Sequence, residues 1–364
     1  MHRIPVSLAC LLALLYLSAA RLAIGQAADP LQVSPSITGP HLAVLLPIKS
    51  GAVGRLADAV RRGVLEAHRV HAGNGMPVIV IATDEDPFDI TRAYEQAVQR
   101  GARMVIGPLT RSAVSALASS NLVTVPTIAL NAPEVDVPLP AKLYLFGVQV
   151  ENEARQIARI ASRQGRRRPL VVISDSPLSR RLSEAFIEEW ARLGNPPAER
   201  FAYTTDVDSL TEVRDTLAVG SSDMVFLALD ARRAKLIRSY LGLSMPVYAT
   251  SLVHTSTAPL ANYELNGVYF VDMPWLLLPD HPAVLSYERP DPAQTGVEFQ
   301  RFYALGIDAY RMAQALLKPY PDYQPVDGVT GYISIEPDQR LTREAIPAQF
   351  VGGDTRVLSS TEIQ

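Results

Sequence analysis

From residue 41 onward, short apolar runs alternate with stretches whose apolar residues recur every three or four positions. Leu42 to Leu46 is continuously apolar and stops at Pro47, which reads as a buried strand. Lys49, Ser50, Gly51 and Gly54 make a polar turn, and Leu56, Val60, Val64 and Ala67 then mark one face of a helix over 55–70. The same reading predicts strands at 78–83, 104–106, 126–130 and 144–148, with helices at 90–100 and 111–119 between them. The pattern then restarts, with helices over 151–163, 179–193, 208–218 and 231–241 and strands at 170–174, 201–204, 224–228 and 247–249. Strands alternating with helices over short connections imply βαβ units and a parallel sheet. The chain is therefore read as two α/β units of similar plan.

Beyond residue 250 the rhythm loosens. A strand over 267–273 ends in Asp272-Met273-Pro274-Trp275, and a proline-rich segment follows from Pro279 to Pro292. Phe302, Leu305, Ala309, Met312, Ala313 and Leu316 then mark a helix over 298–317. Residues 328–335, a turn at 336–339 and a strand near 349–351 read as a hairpin with a last strand, leaving 356–364 as a tail.

The first 25 residues carry His2 and Arg3, an apolar stretch from Ile4 to Ala20 and small residues at Ala23, Gly25 and Ala27, the pattern of a cleavable secretory leader. Residues 26–40, with Pro30, Pro35 and Pro40, read as a flexible lead-in. Cys10 is the single cysteine and lies inside the leader. It follows Ser7-Leu8-Ala9, with Ser where a lipidation signal has Leu, so a lipid anchor is not expected. The exported chain has no thiol nucleophile, disulfide or thiolate ligand. A length of 364 residues with 48% apolar composition supports a large core, and a net charge of −3 gives no sign of a nucleic-acid partner. No apolar run after residue 30 is long enough to span a bilayer.

Catalytic patterns are lacking. His41, His68, His71, His254 and His281 show no close ligand spacing, and neither a Gly-x-Ser-x-Gly elbow nor a phosphate-binding Gly-Lys loop occurs. Asp84-Glu85-Asp86 is an acidic triplet that fits a solvated loop better than acid–base chemistry. The run Arg166-Arg167-Arg168 fits an exposed helix-to-strand turn. No enzyme activity, cofactor or metal is expected.

The order of leader, two β/α units, return helix and hairpin resembles the type I periplasmic-binding-protein fold: α/β, two doubly wound Rossmann-like lobes with a cleft. More specific segments are Leu45-Leu46-Pro47, Val105-Ile106-Gly107-Pro108-Leu109, 125–131, 246–251, Leu265-Asn266-Gly267-Val268, Asp272-Met273-Pro274-Trp275, 301–310 and Gly328-Val329-Thr330-Gly331. In this order they are similar to the LppC/LpoA-type proteins over about residues 41–355. The resemblance implies a non-catalytic periplasmic protein that regulates peptidoglycan synthesis by contact with a class A penicillin-binding protein. The lipidation cysteine and the large N-terminal helical-repeat domain of the best-known members are not expected in this chain. The fold implies a first lobe over 41–148 plus about 275–322 and a second over 149–274 plus about 323–355.

In such lobes, ligands sit at loops following the carboxyl ends of strands. The candidates on the first lobe are Lys49, Ser50 and Gly51; Leu109, Thr110, Arg111 and Ser112 at a helix start; and Asn131. On the second lobe they are Asp175, Ser176, Asp230, Thr250 and Ser251, with Ser179 and His254 nearby. Thr110 and Asp230 also suit helix caps. Relatives that bind amino acids commonly place an aromatic after the second lobe's first strand; Ser176-Pro177-Leu178-Ser179 has none. Trp275, with Tyr269 upstream, is the candidate partner contact if exposed; if buried, the reading that well-packed crossings favour, it packs a chain crossing between the lobes. The alternative function is a solute-binding protein of an ABC-type uptake system, with an amino-acid-like or peptide ligand in the cleft.

Overall fold

The computed structural model describes residues 38–71, 75–135, 137–204, 206–242, 244–318 and 324–363. The expected leader with Cys10, and the lead-in up to residue 37, lie outside the described residues. Among the described residues no helix is long and apolar enough to cross a membrane.

The first sheet contains β1 (His41–Leu46), β2 (Val78–Ala82), β3 (Ala102–Ile106), β4 (Thr127–Ala129) and β5 (Leu143–Leu145). They run parallel in the order β2-β1-β3-β4-β5. The apolar run of β1 is explained by burial on both faces. Leu42, Val44 and Leu46 enter one core with helix α1 (Gly54–His71), while Ala43 and Leu45 enter another with α2 (Pro87–Gln99) and α3 (Arg111–Ala118).

The second sheet takes β6 (Pro169–Ile173), β7 (Glu199–Ala202), β8 (Met224–Ala228), β9 (Val247–Ala249) and β10 (Val268–Asp272) in parallel. Helices α4 (Val150–Arg163) and α5 (Pro177–Arg192) cover one face, and α6 (Val207–Val219) and α7 (Ala231–Arg238) the other. The strand that leads into the return helix α8 (Val297–Leu316) is thus β10 of the second lobe, yet α8 packs on the first.

The C-terminal region departs from the expected division. Strands β11 (Val326–Asp327), β12 (Tyr332–Ile335) and β13 (Leu341–Glu344) form a separate antiparallel sheet. Val329, Ile333 and Leu341 join the first lobe's core, so the chain reaches the second sheet only with β14 (Ile346–Val351), not near residue 323. The expected tail also starts later, because Asp354–Val357 pairs with β14 as β15. Gly352-Gly353, both at positive φ, make the tight hairpin turn between them.

Helix α8 holds these parts together. It crosses α1 at two facing glycines: a Cβ on Gly63 would fall 1.9 Å from the Tyr303 carbonyl oxygen, and one on Gly306 2.2 Å from that of Val60. Asp308, fully buried, accepts from the Thr330 N–H and hydroxyl at 2.7 Å each and from Arg311 at 3.1 Å, fixing the 328–331 segment that precedes β12. Burial pushes the Asp308 carboxyl up against the pull of Arg311 and Thr330.

On the side towards the second lobe, Arg301 is buried against Asp272, with nitrogen–oxygen distances of 2.6 and 3.1 Å. It also donates to the carbonyls of Ser251 (2.9 Å) and His254 (2.8 Å), and His254 Nδ1 lies 2.8 Å from Asp272. Glu153 of α4 completes the joint, accepting from the Ser251 N–H at 2.9 Å and from Arg343 of β13 at 2.8 Å. Burial raises the Asp272 carboxyl, but the Arg301 charge and the His254 contact outweigh it and hold it well below the usual carboxylate range.

Two predictions test this account. Gly63→Ala or Gly306→Ala should destabilise the protein by about 1–3 kcal/mol through helix displacement, read from urea unfolding; an unchanged midpoint would show that the crossing is loose. Asp272→Asn should destabilise it by about 3–5 kcal/mol at neutral pH, since Arg301 is left buried without its counter-charge. A depressed carboxylate contributes stability that is complete above its unfolded pKa of about 4 and is lost as pH falls towards the folded value. The variant should therefore lose less stability than the parent on acidification below pH about 4; equal losses would contradict the assignment.

Candidate functional site

A cleft of about 930 Å³ lies between the lobes. On the first lobe, Arg111 opens α3 and Asn131 follows β4. Asn131 Nδ2 donates to the Leu109 carbonyl at 3.1 Å, and Arg111 donates to the Pro133 carbonyl at 2.6 Å, so the two loops brace each other. On the second lobe, Leu178 and Arg181 come from α5, and Ser251 and Leu252 follow β9. Arg301 and the half-buried Phe302 contribute from α8, and Glu336, Pro337 and Asp338 from the β12–β13 turn. That turn is tied to the first lobe by the Leu145 N–H, which donates to the Gln339 carbonyl at 3.0 Å.

The structure brings together Arg111, Asn131 and Ser251 from the sequence-derived candidates. The others do not line the cleft, and local chemistry explains most of them. The Ser50 hydroxyl donates to the Glu85 carboxylate and accepts from the Ala52 and Val53 N–H groups, closing the turn that holds Lys49 and Gly51. Leu109 is buried in the core. Thr110 occupies the N-cap position of α3, but its hydroxyl makes no capping bond and instead accepts at 3.5 Å from Ser112. Ser176 caps α5 by accepting from the Ser179 N–H at 3.1 Å, and Asp175 is exposed beside it. Asp230 caps α7, accepting from the Arg233 N–H at 3.0 Å and from its guanidinium at 2.6 Å. Burial raises the Asp230 carboxyl, but these bonds outweigh it and lower it overall. Thr250 is fully buried, as is His254 in the Asp272 joint.

Trp275 is corrected from a partner contact to a core residue: it is fully buried, its indole N–H donates to Gln300 at 2.7 Å, and Arg289 lies 4.9 Å above its ring. Pro274 turns the chain into the first lobe there, and the ring fills the space beside Tyr303. Tyr269 is half-buried and stacked on Tyr248.

Sequence reasoning missed the contributions of α4, α8 and the hairpin turn. Glu298 and Arg301 beside Phe302 in a mostly apolar helix were the only signal, and a weak one. The charges in the cleft are largely matched within their own walls: Arg181 with Glu151 at 2.8 Å, Arg340 with Asp338 at 2.9 Å and Arg155 with Glu188 at 3.7 Å. Among the described residues no group of His, Cys, Asp and Glu is placed to hold a metal ion. Asp84 and Asp86 serve turns and a helix cap, accepting from the Asp86 and Phe88 N–H groups at 2.9 Å.

Comparison with known proteins follows the same architecture. In a solved structure from Chromobacterium violaceum, described as a "putative branched-chain amino acid ABC transporter", the match is 37% identical with a TM-score of 0.73, over 86% of this chain and 99% of that one. The C-domain of Haemophilus influenzae LpoA, described as a regulator of PBP1A, matches at 22% identity with a TM-score of 0.74 over 88% and 100%, which shows the shared fold. The penicillin-binding protein activator LpoA of Haemophilus ducreyi is 29% identical over 324 residues, covering 86% of this chain and 54% of that protein. The chain spans about half the length of the curated relatives it matches. The family model described as "LppC putative lipoprotein" matches residues 32–224 and 218–353. Matched along both lobes by one family model, the chain belongs to the LppC family.

Proposed function

We propose that this chain is a non-catalytic periplasmic regulator of a class A penicillin-binding protein, acting on peptidoglycan synthesis through protein contact. The observation that carries this reading is family membership over both lobes, with curated relatives named as penicillin-binding protein activators. The site supports it. The cleft's charges are mostly neutralised by neighbours on the same wall, and the buried Arg301–Asp272 joint ties the lobes at the crossing. Neither feature suits a receptor that must close on a small ligand. The chain is expected to bind a class A synthase and to raise its transpeptidase rate in a saturable way, measured as cross-linked product from lipid-linked substrate with and without the chain. Absence of both binding and rate change would refute the reading.

A second reading, solute binding, is favoured by the size of the cleft and by the likeness to the Chromobacterium violaceum structure. It predicts a thermal shift with amino acids, short peptides or muropeptides. Ligand at 100-fold above its Kd would stabilise the fold by about 2.7 kcal/mol, so a flat screen at millimolar ligand would count against it.

A further inference from the structure

A second groove runs along α7 on the lobe that carries β6–β10. It is bordered by Arg232, Lys235 and Leu236 of α7, by Leu252 and Thr255 after β9, and by Glu264. Leu252 also borders the interlobe cleft, so the groove and the cleft adjoin at that residue.

Glu264 on its rim belongs to a tight helical turn, Tyr263–Leu265, which follows a short one, Pro259–Asn262, beside the groove. Lys235 Nζ holds these turns to α7 by donating to the Ala261 carbonyl at 2.5 Å. On them, Leu260 is 87% exposed and Tyr263 63% exposed, and on α7 Leu236 is 43% exposed. Leu260 and Tyr263 are three residues apart on consecutive turns, so they project on the same side. Val351 at the end of β14 adds a further exposed apolar side chain nearby, where Gly353 packs against the Pro259 carbonyl. Scattered exposed apolar residues need no explanation, but a cluster of this kind beside a groove marks a contact surface.

The charges around the groove identify the chemistry of the occupant. Asp230 is neutralised by Arg233 at 2.6 Å. The Arg232 side chain is exposed and meets no hydrogen-bond or ionic partner among the described residues, and Lys235 meets a carbonyl and no carboxylate. Asp230 also borders the groove but is already paired with Arg233, so Arg232 and Lys235 face Glu264 as the remaining carboxylate of its lining.

We propose that this groove is the docking surface for a segment of the synthase that combines acidic residues with apolar anchors. The acidic groups lie towards Arg232 and Lys235, and the apolar side chains seat against Leu236, Leu260 and Tyr263. This rests on the reading of the chain as a regulator of a class A penicillin-binding protein.

The test uses the whole chain and a purified class A synthase, with binding measured by interferometry and stimulation by cross-linking rate. Leu236→Asp with Leu260→Asp alters exposed side chains, where substitutions change stability little. It should weaken binding by about tenfold or more, the scale of losing apolar anchors, with an unchanged melting temperature. Arg232→Glu should weaken binding and reduce its salt dependence. Phe88→Asp, an exposed apolar site on the first lobe, is the control and should bind as the parent does. Parent-like binding by the double variant would overturn the docking surface while leaving the regulatory function standing. The docking surface is overturned as well if Phe88→Asp loses binding equally, or if sedimentation shows that the groove variants only abolish self-association. Failure of the parent chain to bind or stimulate any class A synthase would instead remove the function on which the surface rests.

Discussion

A guanidinium buried among carbonyls and one carboxylate sets the terms for this molecule. Arg301 rises from a helix that belongs to the first lobe, yet every group it contacts belongs to the second: Asp272, and the carbonyls of Ser251 and His254. A buried ion stripped of these partners is strongly unfavourable, so the two lobes are obliged to meet at this point. The second buried pair, Glu153 with Arg343, ties the same Ser251 segment to β13. Five chain segments from different parts of the sequence, α8, β10, the 251–254 segment, α4 and β13, are thereby fixed by one connected polar network.

Helix α8 transmits this constraint. Its glycine crossing with α1 lets the two helix backbones approach closely, and Asp308, two residues after Gly306, anchors the 328–331 segment. The helix therefore places the β12–β13 hairpin against the first lobe while Arg301 holds the second. The cleft inherits its shape from this arrangement. Its walls carry many charges, but most are satisfied by neighbours, which makes it a formed surface with little unmet electrostatic demand. The unmet demand lies farther out, along α7, where cations and exposed apolar side chains meet.

Much of the fold was legible because it is written in local periodicity. Strand runs such as Leu42–Leu46 are continuous because both faces are covered, and the helices repeat their apolar residues at the helical period. The β14–β15 hairpin was not read, although Gly352-Gly353 followed by the alternating Asp354-Thr355-Arg356-Val357 carries its pattern; the sequence placed a last strand near 349–351 and a tail from 356. The site was far less legible. Of the residues that topology pointed to, Arg111, Asn131 and Ser251 line one cleft. Topology failed for Ser50, Ser176 and Asp230, because small polar side chains beside a helix start or turn are consumed by the nearest free N–H groups. Phe302 and the hairpin turn were missed because nothing local distinguishes a residue facing a cleft from one facing solvent.

The sequence by itself therefore determined the alternation of strands and helices in the two lobes, their parallel strands and the family resemblance, since each depends on patterns within a few turns of chain. Tertiary structure alone decided between the buried and exposed readings of Trp275, placed the hairpin with the first lobe and brought Arg301, Asp272, Glu153 and Arg343 into one joint. Those outcomes depend on pairings between residues far apart in the chain, such as Glu153 with Arg343, 190 positions away. A buried charge specifies that it must find a partner; only the folded chain specifies which one.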